Sequence, residues 1–214
     1  MNRVGRYDRG EQLNARWFSA FREVQEALAD LRGERVLEIG CGTGLTTVIL
    51  AREGRALTAI DASPEMLVEA RKKVDPDLVT FIQANMYEWG TTQLFDTIVF
   101  TFVLSHVQGA RFEDFWQRVG ALLLPGGQVF IADSMYSEAS TAVDHELAGP
   151  HAESVIRRLN DRREFRIAKV FHEPEGLAHK LRGLGWRTDL RAANDLLYFG
   201  TAEVMADDTP GPLI

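Results

Sequence analysis

VLEIGCGTGL, residues 36–45, is an apolar strand that runs directly into three alternating glycines, Gly40, Gly42 and Gly44, and then into a helix. A chain that reverses at the end of a strand beneath a ligand needs glycine there. Glycine admits positive φ and lets the backbone approach the ligand with no Cβ in the way. The spacing is G-x-G-x-G; a dinucleotide site asks for G-x-G-x-x-G, and Leu45 stands in the way of a nicotinamide or flavin reading. Glu38, one residue before the strand ends, is ill placed for a pyrophosphate and suits a ligand that carries an ammonium group. Cys41 reads as a small residue packed in the turn rather than as a nucleophile.

Working outward, ALTAIDAS (56–63) is a second strand, ending in Asp61, whose carboxylate can accept hydrogen bonds from both hydroxyls of a ribose. Ser63 is placed to cap a helix that Pro64 opens and that runs to about Val74. Further strands are expected at 79–82, 97–102 and 129–132. A helix over 112–124 ends at Pro125-Gly126-Gly127. Short β-branched runs alternating with helical stretches predict a mostly parallel sheet covered on both faces. Downstream, 164–171 alternates like a strand, 174–184 reads as a helix and 196–204 as a last strand. Upstream, Leu13, Trp17, Phe21, Val24, Leu28 and Leu31 form one stripe of an amphipathic helix that must pack on the sheet domain. Trp116 and Trp186 are assigned to the core. Residues 136–153 are polar and aperiodic and are expected to form a mobile connection or lid, and 206–214 a loose tail.

Composition narrows the function classes. A chain of 214 residues can bury one large α/β core, and a single cysteine with no Cys/His cluster leaves neither a disulfide nor a metal site. A reducing compartment follows, cytoplasmic by the simplest reading, because the N-terminus lacks a signal-peptide core and no apolar run approaches the ~20 residues of a membrane span. The net charge of −7 argues against a nucleic-acid partner and for a small-molecule one. That charge is unevenly spread: residues 157–187 hold nine Lys or Arg against four Asp or Glu. The block is either a solvated face or an anion site, with Arg157, Arg166 and Lys169 as candidates.

VLEIGCGTGL, AIDASPEMLVEAR (59–71), FDTIVFTFVLSHV (95–107) and LLPGGQVFIAD (123–133) resemble, in order and spacing, the successive motifs of the class I S-adenosylmethionine (SAM) dependent methyltransferases. The resemblance covers roughly 35–133. It implies a Rossmann-like α/β fold, with a seven-stranded mostly parallel sheet, helices on both faces and an N-terminal helical cap. One domain would span 1–205, made of the cap (1–33), a SAM-binding half (34–134) and a substrate-binding half (135–205). It implies SAM as cofactor and S-adenosyl-L-homocysteine as product. Glu38, Gly40, Cys41, Gly42 and Gly44 would border the methionine part and Asp61 would hold the ribose. Ala62, Met66, Asn85 and Met86 would flank the adenine, and Thr101 and Phe102 would line the sulfonium. Asn85 departs from the family, which usually has an acid there; its amide oxygen can still meet the adenine amino group.

RFEDFWQRVGALLLPGG (111–127) with RRLNDRREFRIAKVFHEPEGLAHKLRGLGW (157–186) is similar to the phosphonate O-methyltransferases of the dehydrophos type and their carboxylate-methylating relatives. That resemblance implies an oxyanion held by Arg157 and Lys169 and assisted by a tyrosine near the N-terminus. Here only Tyr7 or Trp17 is available, and neither stands at matching spacing. An ionised acceptor needs no base, so cations that grip it suffice. His106, just after the fourth strand, is the residue that would support a phenol or amine acceptor instead, as general base. The remaining histidines, His145, His151, His172 and His179, show no ligand spacing and are expected at the surface. N- or C-methylation, methylation of a peptide C-terminal carboxylate and SAM binding without catalysis stay open, as does a monomer against a homodimer.

Overall fold

A computed structural model describes residues 4–52, 54–137, 145–146, 153–158 and 164–205, without the side chains of residues 4–13, 145, 146, 157, 158 and 165. The expected tail, and the expected lid apart from its ends and residues 145–146, lie outside the described residues. In chain order the elements are α1 (Val4–Ala29), β1 (Arg35–Ile39), α2 (Thr47–Leu50), β2 (Ala56–Asp61), α3 (Pro64–Arg71), β3 (Val79–Gln83) and β4 (Phe95–Thr101). There follow α4 (Phe112–Ala121), β5 (Leu123–Ser134), β6 (His145–Glu146), β7 (Ser154–Arg158), β8 (Glu164–Ala168), α5 (Pro174–Gly183), β9 (Trp186–Ala192) and β10 (Leu197–Val204).

Seven strands form one sheet in the order β3-β2-β1-β4-β5-β10-β9. The first five are parallel, and β10 runs antiparallel to both β5 and β9. The expected sheet is there, but one member differs. The strand expected over 164–171 stops at Ala168 and joins β6 and β7 in a separate three-stranded antiparallel sheet. Its place is taken by β9, an edge strand in which exposed Arg187, Asp189 and Arg191 alternate with Trp186, Thr188 and Leu190, a period of two that the sequence reading passed over.

Side chains alternate across the sheet and sort the helices onto its two faces. Leu37, Ile39, Ile98, Phe100 and Ile131 pack beneath α4 and α5 with Phe115, Trp116, Leu177, Leu181 and Trp186. Val36, Val99, Phe130 and Phe199 pack on the other face with Phe21, Val24 and Leu28 of α1, Leu50 of α2 and Leu67 of α3. Both assigned tryptophans are core residues and touch edge to face at 4.8 Å. Fully burying a side chain of this size contributes about 1.5–3 kcal/mol, so two such layers account for the sheet's cohesion.

Local signals set the ends. Ser63 caps α3, its Oγ accepting the Met66 N–H at 3.3 Å, and Pro64 follows where its missing N–H is harmless. The helix after the glycine loop is a single turn. The bend before β1 is closed by Arg55, which is buried and donates to the carbonyls of Leu31, Gly33 and Leu50. Asp96 takes the N–H groups of Glu34 and Arg35 at the same end.

Candidate active site

Strand order reverses between β1 and β4, and the crevice beyond the carboxyl ends of the strands at such a switch point is where open α/β sheets bind ligands. The glycine loop, Asp61, Asn85, Thr101, Phe102 and Asp133 all lie at those carboxyl ends. Within the loop, Gly42 (φ 54°) has open space where a Cβ would stand, and so forms the bare floor a ligand needs. Gly44 (φ 82°) serves packing, because a Cβ there would sit 3.0 Å from the Cα of Ala70 in α3.

Asp61 binds the loop. Its Oδ2 accepts the Gly42 N–H at 2.8 Å and its Oδ1 the Ser63 N–H at 2.9 Å, so one carboxylate fixes the loop after β1 and the start of α3. Ala62 and Met66 are exposed beside it and Met86 is half-buried. Asn85 is exposed, its Oδ1 accepting the Tyr87 N–H at 3.1 Å to close a turn.

Glu38 is not the open ammonium acceptor the sequence reading expects. It is 1% exposed, and its two oxygens accept the hydroxyls of Thr46 at 2.5 Å and Thr47 at 2.6 Å. Desolvation pushes its carboxyl up to about 7, against the two threonine bonds and with some help from Asp61. Thr46 in turn meets the Thr101 hydroxyl at 3.2 Å, which ties the loop to the end of β4. Glu38 is therefore a buttress under the loop. Cys41 is buried and its thiol is pushed up to about 12, chiefly by burial, which suits packing and not nucleophilic attack.

Phe102 is the one non-glycine residue with positive φ among those described, at 58°. An L-residue adopts that backbone at a cost of about 1–3 kcal/mol, and such strain gathers at functional sites. Its N–H still pairs with the Ala132 carbonyl at 2.8 Å, while its ring turns toward α1, 6.0 Å from both Trp17 and Phe21. Trp17 thus reaches the crevice through Phe102. The side chain of Tyr7 lies outside the described residues.

The acceptor candidates divide. Ser105 and His106 lie in a 3-10 turn after β4, and the chain leaving β8 is bonded to that turn: Val170 N–H donates to the Ser105 carbonyl at 2.7 Å. His106 Nδ1 sits 2.8 Å from the Ala168 carbonyl, which can only accept, so the proton is on Nδ1. Lys169 Nζ donates to Ser105 Oγ at 2.8 Å and stands 3.9 Å from Oδ1 of Asp133. Arg157 lies in β7, paired with Phe165 of β8, and its side chain is outside the described residues. Arg166 does not join Lys169. It lies within β8, paired with Ile156 of β7, and is exposed, whereas Lys169 follows the end of that strand and is half-buried.

Sequence reasoning gave two residues no role and misplaced a third. Ser105 and Asp133 carry no motif signal of their own, because the cluster they form with Lys169 is assembled from three distant segments. His172, expected at the surface, is buried against Phe112 at 5.7 Å, and desolvation with the Lys180 charge lowers it to about 4. His179 is exposed as expected; the side chain of His145 and all of His151 lie outside the described residues. Among the described residues no cluster of His, Cys, Asp and Glu is arranged to hold a metal ion, and no helix is long and apolar enough to cross a membrane.

Comparison with known proteins agrees with the geometry. A family model described as a methyltransferase domain matches residues 36–127. The ubiquinone biosynthesis O-methyltransferase of Xanthomonas euvesicatoria pv. vesicatoria is 31% identical over 79% of this chain and 68% of its own length. The magnesium-protoporphyrin O-methyltransferase of Rhodobacter capsulatus is 44% identical over 33% of this chain and 32% of its own. The chain thus spans only about a third of that relative, and 56% of two uncharacterized bacterial methyltransferases that it also matches. A solved DhpI–SAH complex superposes with a TM-score of 0.72 at 30% identity, covering 91% of this chain and 87% of that one. The chain belongs to the class I SAM-dependent methyltransferases. Within them it is similar to DhpI, also solved with SAM and HEP, and its cofactor is SAM.

Proposed function

We propose that the chain transfers the methyl group of SAM to an oxyanion, carboxylate or phosphonate, of a small molecule. The carrying observation is Lys169: an ammonium anchored on Ser105 and Asp133 at the carboxyl ends of β4 and β5, beside the crevice. Bound SAM supplies an electrophilic methyl on a positive sulfur, and the remaining work is to align the nucleophile and exclude water. Gly42 and the glycine turn would accept the methionine end, Asp61 the ribose, and Ala62, Met66, Asn85 and Met86 the adenine. Trp17 and Phe102 would close the chamber on the α1 side. Lys169, with Arg157, would hold the acceptor oxygens that do not react, which leaves the attacking oxygen its charge.

One observation favours a second reading, a phenol or amine acceptor. The Ala168 carbonyl holds a proton on His106 Nδ1, so in the neutral ring Nε2 is the basic nitrogen, the tautomer a general base requires. A panel of carboxylic and phosphonic acids, phenols and amines assayed with methyl-labelled SAM decides. The expected result is methylation of acids, with Lys169→Met lowering kcat/KM by roughly ten- to more than a hundredfold, since a hydrogen bond to a charged group is worth about 1.5–3 kcal/mol. SAM affinity should stay unchanged. Methylation of phenols or amines alone, abolished by His106→Gln and indifferent to Lys169→Met, would establish the second reading.

A further inference from the structure

Asp133 anchors Lys169 from a side chain that is 1% exposed and carries a carboxylate. A buried carboxylate costs several kcal/mol unless it is paired and hydrogen-bonded. Here Oδ2 accepts the Ser105 N–H at 2.8 Å, Oδ1 accepts the Ser134 N–H at 2.7 Å, and the Lys169 ammonium stands 3.9 Å from Oδ1. Ser105 is the hub. Its N–H goes to Asp133, its hydroxyl takes Lys169 Nζ, and its carbonyl takes the Val170 N–H. All three polar groups of one serine therefore join the end of β5, the turn after β4 and the segment after β8 that bears the lysine. On another side the ammonium meets the Phe171 ring at 5.5 Å, which also favours a cation there.

We propose that Asp133 is the positioning residue of the acceptor site, a buried counter-charge that acts through Ser105 to fix the direction and location of the Lys169 ammonium. A lysine is a flexible point charge with four rotatable bonds, unable to hold an anion in one orientation by itself. Two contacts to groups locked in the sheet and its following turn convert it into a fixed donor. Asp133 does not touch the acceptor; it acts only by holding the group that does. The kinetic part of this inference rests on the acceptor reading above, and the spectroscopic part does not.

The test uses full-length protein labelled with 15N-lysine, in the presence of S-adenosyl-L-homocysteine and without acceptor. The Lys169 ammonium, assigned by its loss in Lys169→Met, is expected to exchange its hydrogens slowly enough to give a resolved signal. Asp133→Asn should accelerate that exchange at least about tenfold, because the charged acceptor is gone. Ser105→Ala should do the same while leaving the backbone bonds to Asp133 in place, and it carries the test alone if Asp133→Asn does not fold. In acceptor kinetics Asp133→Asn and Lys169→Met should lower kcat/KM by similar factors, and the double variant should be no worse than either. Two results overturn the proposal: a wild-type Lys169 ammonium that exchanges as fast as surface lysines, or exchange unchanged in the variants. Altered exchange together with acid methylation indifferent to Lys169→Met would leave Asp133 as the anchor of Lys169 and reject the acceptor reading instead.

Discussion

Replacing Glu38 by glutamine should remove the pH dependence that this carboxyl imposes on folding. Burial raises its folded-state value from the ordinary 4.5 to about 7. Between those values the folded protein keeps a proton that the unfolded chain has released, so stability falls as pH rises through the window and levels off above it. A shift of this size corresponds to about 3 kcal/mol. The glutamine side chain would be neutral at every pH, and the hydroxyls of Thr46 and Thr47, which now donate, can turn to accept from its amide. Urea unfolding of ligand-free protein, from about pH 5 to about pH 8, measures the effect through the linear extrapolation. The stability of the wild type minus that of Glu38→Gln should decline by about 3 kcal/mol across the range, leaving the variant relatively better off in alkali. A difference that stays flat would show that Glu38 is ionised and well solvated in the folded protein, and would remove it from beneath the loop.

His172 works in the opposite direction. Lowered to about 4, it costs stability as pH falls from the ordinary 6.5, and His172→Leu should flatten that acid limb in the same unfolding series. An acid limb unchanged in His172→Leu would place the ring in water. Asp61→Ala should weaken SAM and S-adenosyl-L-homocysteine binding in calorimetry by roughly tenfold or more, since it deletes the proposed ribose acceptor and releases the N–H groups of Gly42 and Ser63. Equal affinity in wild type and variant would take the carboxylate out of the site. Gly42→Val should abolish SAM binding while the protein still folds cooperatively, because the added branches would enter the open space at that position although φ is 54°. Retained binding would mean that the ligand lies elsewhere.

What was legible in the sequence is what local chemistry encodes. The glycine spacing, Asp61 at the end of its strand, the Ser63-Pro64 helix start and the sorting of Trp116 and Trp186 into the core each depend on a few neighbouring residues, and each stands as read. The errors arise where partners come from afar. The 164–168 strand has a strand's alternation, but nothing local says that it pairs with 154–158 and not with the main sheet. Glu38 sits where a ligand's ammonium would be welcome, but Thr46 and Thr47 reach it first from eight and nine residues away. Arg55, to which the sequence reading gave no place, is a buried clasp on three carbonyls. The Ser105, Asp133 and Lys169 cluster spans 64 residues between its serine and its lysine, and no spacing rule announces it.

β10 is the last described strand along the chain, yet it lies inside the sheet, between β5 and β9. A polypeptide emerging from the ribosome must therefore hold the sheet unfinished until residues 197–204 arrive. Until then β5 presents its Gln128–Ser134 edge, seven residues that include Val129, Phe130 and Ile131, with no partner on that side. An apolar edge of that length is a template for pairing with another chain. Removing β10 would thus expose the sheet's interior to self-association, with aggregation rather than simple loss of stability as the outcome.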